Sequence, residues 1–159
     1  MNAATAELQD FLGFSSVLTG FSVFQLQGTG QAASYLSTVI QIVGEATAVD
    51  LLQAFRRVRE KAGDDEAALD RLLRADILSD DRLGPIARNV IKLWYVGTWY
   101  QLPRAWRATF GEAEKDITFV VSPQAYTEGL LWPTIDANPS GAKGPGYGTW
   151  SAPPRIPRV

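Results

Sequence analysis

A stretch rich in apolar and aromatic side chains, residues 90–100, constrains the fold of this chain more than any other feature. Apolar residues at helical spacing predict a helix over residues 85–100 with one row facing a core. Leu93, Val96 and Tyr100 lie on the opposite side of that helix, so its last two turns are apolar all round. Such a helix needs neighbours on every side. Either the Pro- and Gly-rich C-terminal residues or a second protein is therefore expected to supply part of the cover.

The reactive and charged side chains exclude several classes of function. The formal net charge is −2 over 159 residues, without a cluster of Lys and Arg, so nucleic acid is not an expected partner. The chain has no Cys and no His, which excludes nucleophilic catalysis by these groups, thiolate-bound iron–sulfur clusters and ordinary zinc sites. We therefore expect no catalytic residue, no cofactor and no metal in this chain.

Two further absences concern the membrane. No run of about 18 apolar residues is present, so we expect no segment that spans a bilayer. The N-terminal residues lack a basic region followed by an apolar one. The sequence as it stands therefore predicts no secretion signal.

The periodicity of apolar residues predicts an all-α fold. The first two expected helices cover residues 5–18 and 31–43. A third begins at the capping residue Thr47 and ends at Gly63, and three more cover residues 65–74, 85–100 and 122–131. Residues 22–26 are strand-like, residues 101–116 predict a loop, and residues 117–121 a possible short strand. The architecture is one compact helical domain of about five to six helices over residues 1–132.

The C-terminal residues have a different composition. From Pro133 onward the chain holds six of its nine prolines and four of its fourteen glycines. Such a stretch cannot continue regular secondary structure for long. Residues 133–159 are therefore expected to form a long extended arm that belongs to the same domain.

Two motifs allow a chemical interpretation beside a structural one. The stretch from Gly28 to Ala33 matches the G-x-G-x-x-A form of the dinucleotide-binding fingerprint. The sequence predicts no further parallel strands, which a Rossmann fold would need. We therefore interpret the motif as a Gly-rich turn before a helix and not as a dinucleotide-binding site. The acidic residues at 64–66 and at 80–81 lie at expected helix starts, where the helix dipole stabilises negative charge. This structural interpretation is favoured over a role in acid–base chemistry.

Aromatic side chains are concentrated in the second half of the chain. All five Trp lie between Trp94 and Trp150, together with four of the five Tyr. Aromatic residues in an extended arm favour a partner surface, because they bury a large area with few rotatable bonds. The alternative is that the arm folds back and covers the helix expected over residues 85–100 of the same chain. The two interpretations are compatible if the arm crosses that helix before it reaches a partner. The residues expected to bind a partner are Trp94, Tyr95, Trp99, Tyr100, Trp106, Tyr126, Trp132, Tyr147 and Trp150.

Four segments occur in an order that is typical of one known family. They are Phe11-Leu12 with Ser16-Val17-Leu18-Thr19-Gly20-Phe21, Ile91-Lys92-Leu93-Trp94-Tyr95-Val96-Gly97-Thr98-Trp99, Val121-Ser122-Pro123-Gln124-Ala125-Tyr126, and Gly144-Pro145-Gly146-Tyr147-Gly148-Thr149-Trp150 with Pro153-Pro154. Together they resemble the small subunit of the membrane-bound FAD-dependent sorbitol dehydrogenase family. The small subunits of bacterial fructose and FAD-dependent glucose dehydrogenases belong to the same group.

The resemblance implies a non-catalytic, chaperone-like subunit of an oxidoreductase complex. Its partner would be a large flavoprotein of the glucose-methanol-choline type, which holds FAD and in several members an iron–sulfur cluster. A cytochrome c subunit with haem c would be a further partner. Small subunits of this family usually carry the twin-arginine signal that exports both proteins, which implies a periplasmic location. This sequence lacks that leader, so a cytoplasmic location stays open.

Two hypotheses from other classes accompany this one. The chain is alternatively a standalone helical protein-binding domain, a homodimer that covers its aromatic residues against itself. The remaining hypothesis is an enzyme that acts alone through carboxylates, in which the turn from Gly28 to Ala33 binds a phosphate group. The chain has few side chains suited to catalysis, so little supports this hypothesis.

Overall fold

The computed structural model describes residues 3–139, which fold mainly into helices. The elements are α1 (Ala3–Thr19), α2 (Val23–Gly28), α3 (Ala32–Val43), α4 (Glu45–Ala62), α5 (Glu66–Leu73), a π-helix (Arg74–Leu78), α6 (Leu83–Val96), β1 (Thr98–Trp99), α7 (Arg104–Phe110), β2 (Phe119–Val120), α8 (Pro123–Thr127) and α9 (Leu131–Thr134). The predicted all-α class is confirmed. Within this range there are more helices than the five to six expected. The difference comes from short helices such as α2, α7 and α9.

The strand-like stretch before Gly28 is helical, which corrects the prediction for residues 22–26. Ser22 and Gln25 form a capping box: the Ser22 hydroxyl oxygen accepts from the backbone N–H of Gln25, and Gln25 Oε1 accepts from the N–H of Ser22. Such a box starts a helix by satisfying free N–H groups. The motif that begins at Gly28 therefore follows a helix, and it lacks the strand that a dinucleotide site requires.

Two of the acidic residues hydrogen-bond to backbone N–H groups at helix starts, which agrees with the structural interpretation. Asp65 accepts from the backbone N–H of Ala68 at the start of α5, and Asp80 accepts from the N–H of Leu83 at the start of α6. Helix α4 begins at Glu45 rather than after Thr47, and it ends before Gly63 as expected.

The helix predicted over residues 85–100 ends early. Gly97 adopts a left-handed conformation with φ of 64° and terminates α6 after Val96. A glycine takes this conformation without the steric cost of a Cβ atom. Trp99 then enters β1, which pairs antiparallel with β2, so that Trp99 lies opposite Phe119. The strand predicted near residue 119 is thus present.

Helix α6 lies at the centre of the described structure. It contacts α1, α3, the π-helix, β1, α8 and α9. Leu93, on the side expected to lack cover, is fully buried, whereas Lys92 is exposed. Val96 on the same side is half-buried and Tyr100 is exposed, so this face is covered at Leu93 and remains partly accessible towards its C-terminal end. The loop predicted over residues 101–116 contains the short helix α7, which corrects that prediction for Arg104–Phe110.

The beginning of the predicted arm is helical, because Pro133 lies within α9. The rest of the arm, from residue 140 to residue 159, lies outside the described residues. Of the helices described, none taken singly has the length and apolarity to cross a membrane; α3 and α4 meet those criteria only as a pair, bent by 119°.

Candidate partner-binding surface

Three of the predicted aromatic residues lie in the core. Trp94, Trp99 and Trp106 are each at most 8% exposed. Trp94 contacts the ring of Tyr35 at 5.0 Å in an edge-to-face arrangement. The Trp106 indole N–H donates to the Arg82 carbonyl at 2.8 Å. For these three residues the chain covers its own aromatic surface, so they have little area left to offer a partner.

A buried carboxylate that the sequence analysis did not single out fixes Trp99. Asp116 is 2% exposed and accepts from the Trp99 indole N–H at 2.9 Å and from the Leu102 backbone N–H at 3.1 Å. These bonds hold the chain between β1 and β2. No pattern in the sequence marks Asp116, since it lies among several exposed charged residues.

Tyr95, Tyr126 and Trp132 are half-buried. The Tyr95 hydroxyl donates to the Thr19 carbonyl at 3.1 Å. The Trp132 indole N–H donates to the Tyr126 carbonyl at 2.8 Å, and the two rings meet edge to face at 5.4 Å. These side chains have fixed orientations and still keep part of their surface accessible.

Tyr100 is the most exposed of the predicted residues that the structure describes, at 40%. Asn89 holds its backbone: the Asn89 amide N–H donates to the Tyr100 carbonyl at 2.7 Å. The Lys92 ammonium group lies 4.7 Å from the centroid of the Tyr100 ring. The two remaining predicted residues, Tyr147 and Trp150, lie outside the described residues.

Segments far apart in the sequence meet at the C-terminal end of α6. The Leu130 N–H donates to the Trp94 carbonyl and the Val121 N–H to the Gly97 carbonyl, both at 2.9 Å. The last carbonyls of a helix lack partners within it, so these bonds satisfy groups that would otherwise stay unpaired. On the other side of this end, the ring of Phe21 packs edge to face on Tyr95.

A cleft of about 500 Å³ opens beside this junction. One wall consists of Phe21 and the end of α2, and the other runs from Thr127 to Pro139. Among the described residues that line it, the charged ones are Glu128 and Asp136, and both are acidic. Asp136 has a φ of 52°, the left-handed conformation that Asp and Asn tolerate better than most residues.

Large apolar side chains are exposed at several further positions. They are Phe24 (83%), Ile117 (57%), Ile135 (56%), Val120 (52%) and Phe110 (42%). Ile117 and Val120 belong to the segment that contains β2, whereas Tyr100 follows β1, the strand with which β2 pairs. These two paired segments therefore carry one exposed aromatic and two exposed aliphatic side chains.

Polar atoms without hydrogen-bond partners lie in the core. The Tyr35 hydroxyl, the Trp94 indole nitrogen and the Ser15 hydroxyl are buried and unpaired. Burial raises the pKa of Tyr35 well above its ordinary value of 10.0, and the charge of Glu128 raises it further. These groups are not arranged as a nucleophile and a base.

Among residues 3–139, no group of three or more His, Cys, Asp and Glu side chains is placed to hold a metal ion. A comparison with known protein families finds no match to this chain, and comparisons with curated proteins and with solved structures find none either.

Proposed function

We propose that this chain is a non-catalytic accessory subunit, which binds and stabilises the large FAD-containing subunit of a sugar or alcohol dehydrogenase complex. One observation carries the proposal. Three of the four segments that resemble the small subunits of that family converge on the end of α6, through Trp94, Gly97, Val121 and Phe21. These separate parts of the sequence pattern thus belong to one structural unit, which supports treating them as a single resemblance.

The proposed mechanism is burial of apolar surface. The core residue Trp94 and the half-buried Tyr95 and Tyr126 stiffen the platform, while Tyr100 and Trp132 contribute accessible aromatic area. Permanent interfaces commonly bury more than about 2,000 Å². A partner that binds only the folded flavoprotein stabilises it by mass action, which is the physical basis of a chaperone-like role.

The cofactors in this proposal belong to other chains. The large subunit of the glucose-methanol-choline type would hold FAD, with an iron–sulfur cluster in some complexes, and a cytochrome c subunit would hold haem c. The complex would be periplasmic, as the resemblance implies. The present chain contributes contacts and no redox chemistry.

Co-purification tests the proposal directly. The chain is co-expressed with a large flavoprotein of the glucose-methanol-choline type, and the amounts of both proteins and of bound FAD are measured. The triple variant Trp132→Ala, Tyr147→Ala and Trp150→Ala is expected to reduce recovery of the complex by about tenfold or more, since aromatic anchors dominate interface energies. Undiminished recovery would refute the role of these residues.

A pair of single variants controls for general loss of surface apolarity. Tyr100 and Phe110 have nearly equal exposure, 40% and 42%, but only Tyr100 is among the predicted partner residues. Tyr100→Ala is expected to weaken assembly, and Phe110→Ala to leave it unchanged. Equal effects of the two would contradict a specific surface.

The second candidate function is a homodimeric protein-binding domain. It is favoured by the exposed side chains of Ile117, Val120 and Tyr100 on the paired segments that contain β2 and β1. In a two-fold symmetric dimer the same surface of both copies is buried, so exposed apolar residues of this kind cover one another. Light scattering of the isolated chain distinguishes the two. A stable dimer that Val120→Lys dissociates supports this candidate, and aggregation relieved by the flavoprotein supports the accessory subunit.

A further inference from the structure

An aromatic side chain projects from the short helix that joins α1 to α3. Phe24 of α2 is 83% exposed, the highest value among the large apolar side chains of the described residues. Its neighbours in the sequence are anchored, since Leu26 is fully buried and Phe21 packs on Tyr95. The capping box of Ser22 fixes the start of the same helix. Phe24 is therefore presented on a fixed backbone, and burial of its ring freezes few rotatable bonds.

The sequence around this ring carries no charge. Residues 11–44 contain no Asp, Glu, Lys or Arg, although these residues make up 20% of the whole chain. Charged residues are depleted at the centre of protein interfaces, whereas aromatic residues are enriched there. A lipid surface is a less favourable target, because one ring without neighbouring Lys or Arg gives only weak attachment to a bilayer.

An apolar groove lies between α1 and α3. Its volume is about 480 Å³, and Leu8, Ala33, Leu36 and Ile40 form its apolar lining. Leu8 and Ile40 keep part of their surface accessible, and Ala33 is exposed. The volume lies within the range of pockets that enclose small organic molecules, so the α1–α3 groove has room for an aromatic ring.

A carboxylate at this groove lacks a hydrogen-bond donor. Glu7 is the charged residue among the described residues of the lining, and its Oε1 atom is buried without a partner. Arg56 lies close enough for its pKa to be raised by Asp10 most, and further by Glu60 and Glu7. The printed geometry nevertheless directs the Arg56 Nε–H to Asp10, at 3.1 Å. An occupant of the groove that brings a donor would therefore satisfy Glu7, whose terminal torsion turns easily.

The exposed ring has such a donor beside it. Gln25 follows Phe24, and its Oε1 atom accepts from the backbone N–H and the hydroxyl of Ser22, both at 2.9 Å. The amide N–H groups of Gln25 have no partner among the described residues. An amide N–H only donates and a carboxylate oxygen only accepts. The ring and the amide on α2 thus match the apolar walls and the carboxylate of the groove.

We infer that Phe24 of one copy of the chain enters the α1–α3 groove of a second copy, where the Gln25 amide donates to Glu7. When the pair closes about a two-fold axis, this contact is made twice. Two buried rings account for roughly 300–500 Å². Stable interfaces bury at least about 1,200 Å², so we expect a dimer with a Kd in the micromolar range.

This contact is independent of both candidate functions. It uses a different surface from the segments that contain β1 and β2, and it concerns the isolated full-length chain. It therefore holds or fails whether or not a flavoprotein is the partner.

Photo-crosslinking tests the contact directly. The amino acid p-benzoylphenylalanine, which keeps an aromatic ring, is incorporated in place of Phe24, and chains with and without ¹⁵N labelling are mixed and irradiated. We expect a covalent dimer with mixed labelling, whose crosslink maps to residues 5–8 or 33–41 of the second chain. The control places the same amino acid at Phe110, which has 42% exposure, and is expected to give no crosslink to these residues.

Sedimentation of matched variants provides a second measurement. Phe24→Gln removes the ring, and Ser37→Arg fills the groove from an exposed position on α3. Each is expected to weaken dimerisation by about fivefold or more. Ser34→Arg is the matched control, since Ser34 is exposed on the same helix but does not line this groove. Circular dichroism confirms that all three variants keep the fold, because the substituted side chains are exposed.

Four outcomes would overturn the inference. One is the absence of a crosslinked dimer, and another is a crosslink that maps outside the groove. Equal effects of Ser37→Arg and Ser34→Arg would remove the groove from the contact. Binding to phosphatidylcholine vesicles that depends on Phe24, without a crosslinked dimer, would assign the ring to a lipid surface.

Discussion

Gly97 lies so close to Ala125 that a Cβ atom on Gly97 would stand 2.4 Å from the Ala125 carbonyl oxygen. This approach brings α8 against the end of α6. It also places the Val121 N–H within reach of the Gly97 carbonyl. The junction on which the proposed function depends therefore requires glycine at position 97, because any side chain there would clash with Ala125.

Gly97→Ala is expected to destabilise the fold by about 3 kcal/mol, because it adds a backbone clash to a strained left-handed conformation. Gly30 provides the matched control, since it has a φ of 70° with nothing within 4 Å of an added Cβ. Gly30→Ala should cost only about 1 kcal/mol. Urea denaturation of both variants isolates the cost of the close approach, and equal losses would argue against it.

Gly84 tests the packing of the π-helix in the same way. A Cβ atom at Gly84 would lie 2.5 Å from the Leu78 carbonyl oxygen, without a positive φ to add strain. We expect Gly84→Ala to cost about 2 kcal/mol. Gly28→Ala, in open space at the end of α2, should instead be neutral or stabilise by about 0.5 kcal/mol. Thermal unfolding measures both, and similar changes in Tm would be inconsistent with this contact.

Tyr35→Phe is expected to stabilise the fold by about 1 kcal/mol at neutral pH, because it removes a buried hydroxyl without a partner. The raised pKa of Tyr35 adds a pH dependence. Above pH 10 the unfolded state loses the phenolic proton while the folded state keeps it, so the stability of the parent falls by up to about 1.4 kcal/mol per pH unit.

The advantage of Tyr35→Phe should therefore grow as the pH rises above 10. Unfolding free energies at pH 7, 10 and 11 check this, with Tyr100→Phe as an exposed control. A constant difference between Tyr35→Phe and the parent would contradict the contribution of burial.

Asp116→Ala is expected to destabilise the fold by about 3 kcal/mol, since it leaves the Trp99 indole and the Leu102 N–H buried without an acceptor. The exposed Asp64 is the control, and Asp64→Ala should change stability by less than about 0.5 kcal/mol. Guanidinium denaturation followed by Trp fluorescence measures both. If the two variants lost stability equally, Asp116 would not be a structural acceptor.

The fold class was predictable because burial leaves a periodic pattern. Leu93 and Trp94 follow helical spacing, and nothing in that spacing changes at Gly97. The predicted helix therefore runs four residues too far, through Gly97 and the strand that contains Trp99 to Tyr100. The glycine was the available signal, since it commonly follows the last helical residue. The capping box of Ser22 was likewise readable from the spacing to Gln25.

The candidate surface was harder to predict, because composition does not distinguish a core Trp from an interface Trp. Trp99 and Trp106 were counted as partner residues, and their indole groups bond to Asp116 and to the Arg82 carbonyl inside the fold. Both acceptors come from distant parts of the chain. Only tertiary structure brings them together. Tyr100, which the pattern placed on a helix, follows β1 and is accessible.

The junction at the end of α6 has a consequence for the nascent chain. The Trp94 and Gly97 carbonyls receive their partners from Leu130 and Val121, which leave the ribosome later than the whole of α6. Local helical contacts form quickly, and such long-range closure is slow. We therefore expect α1, α3 and α4 to assemble around an α6 whose C-terminal end stays hydrated until late in synthesis.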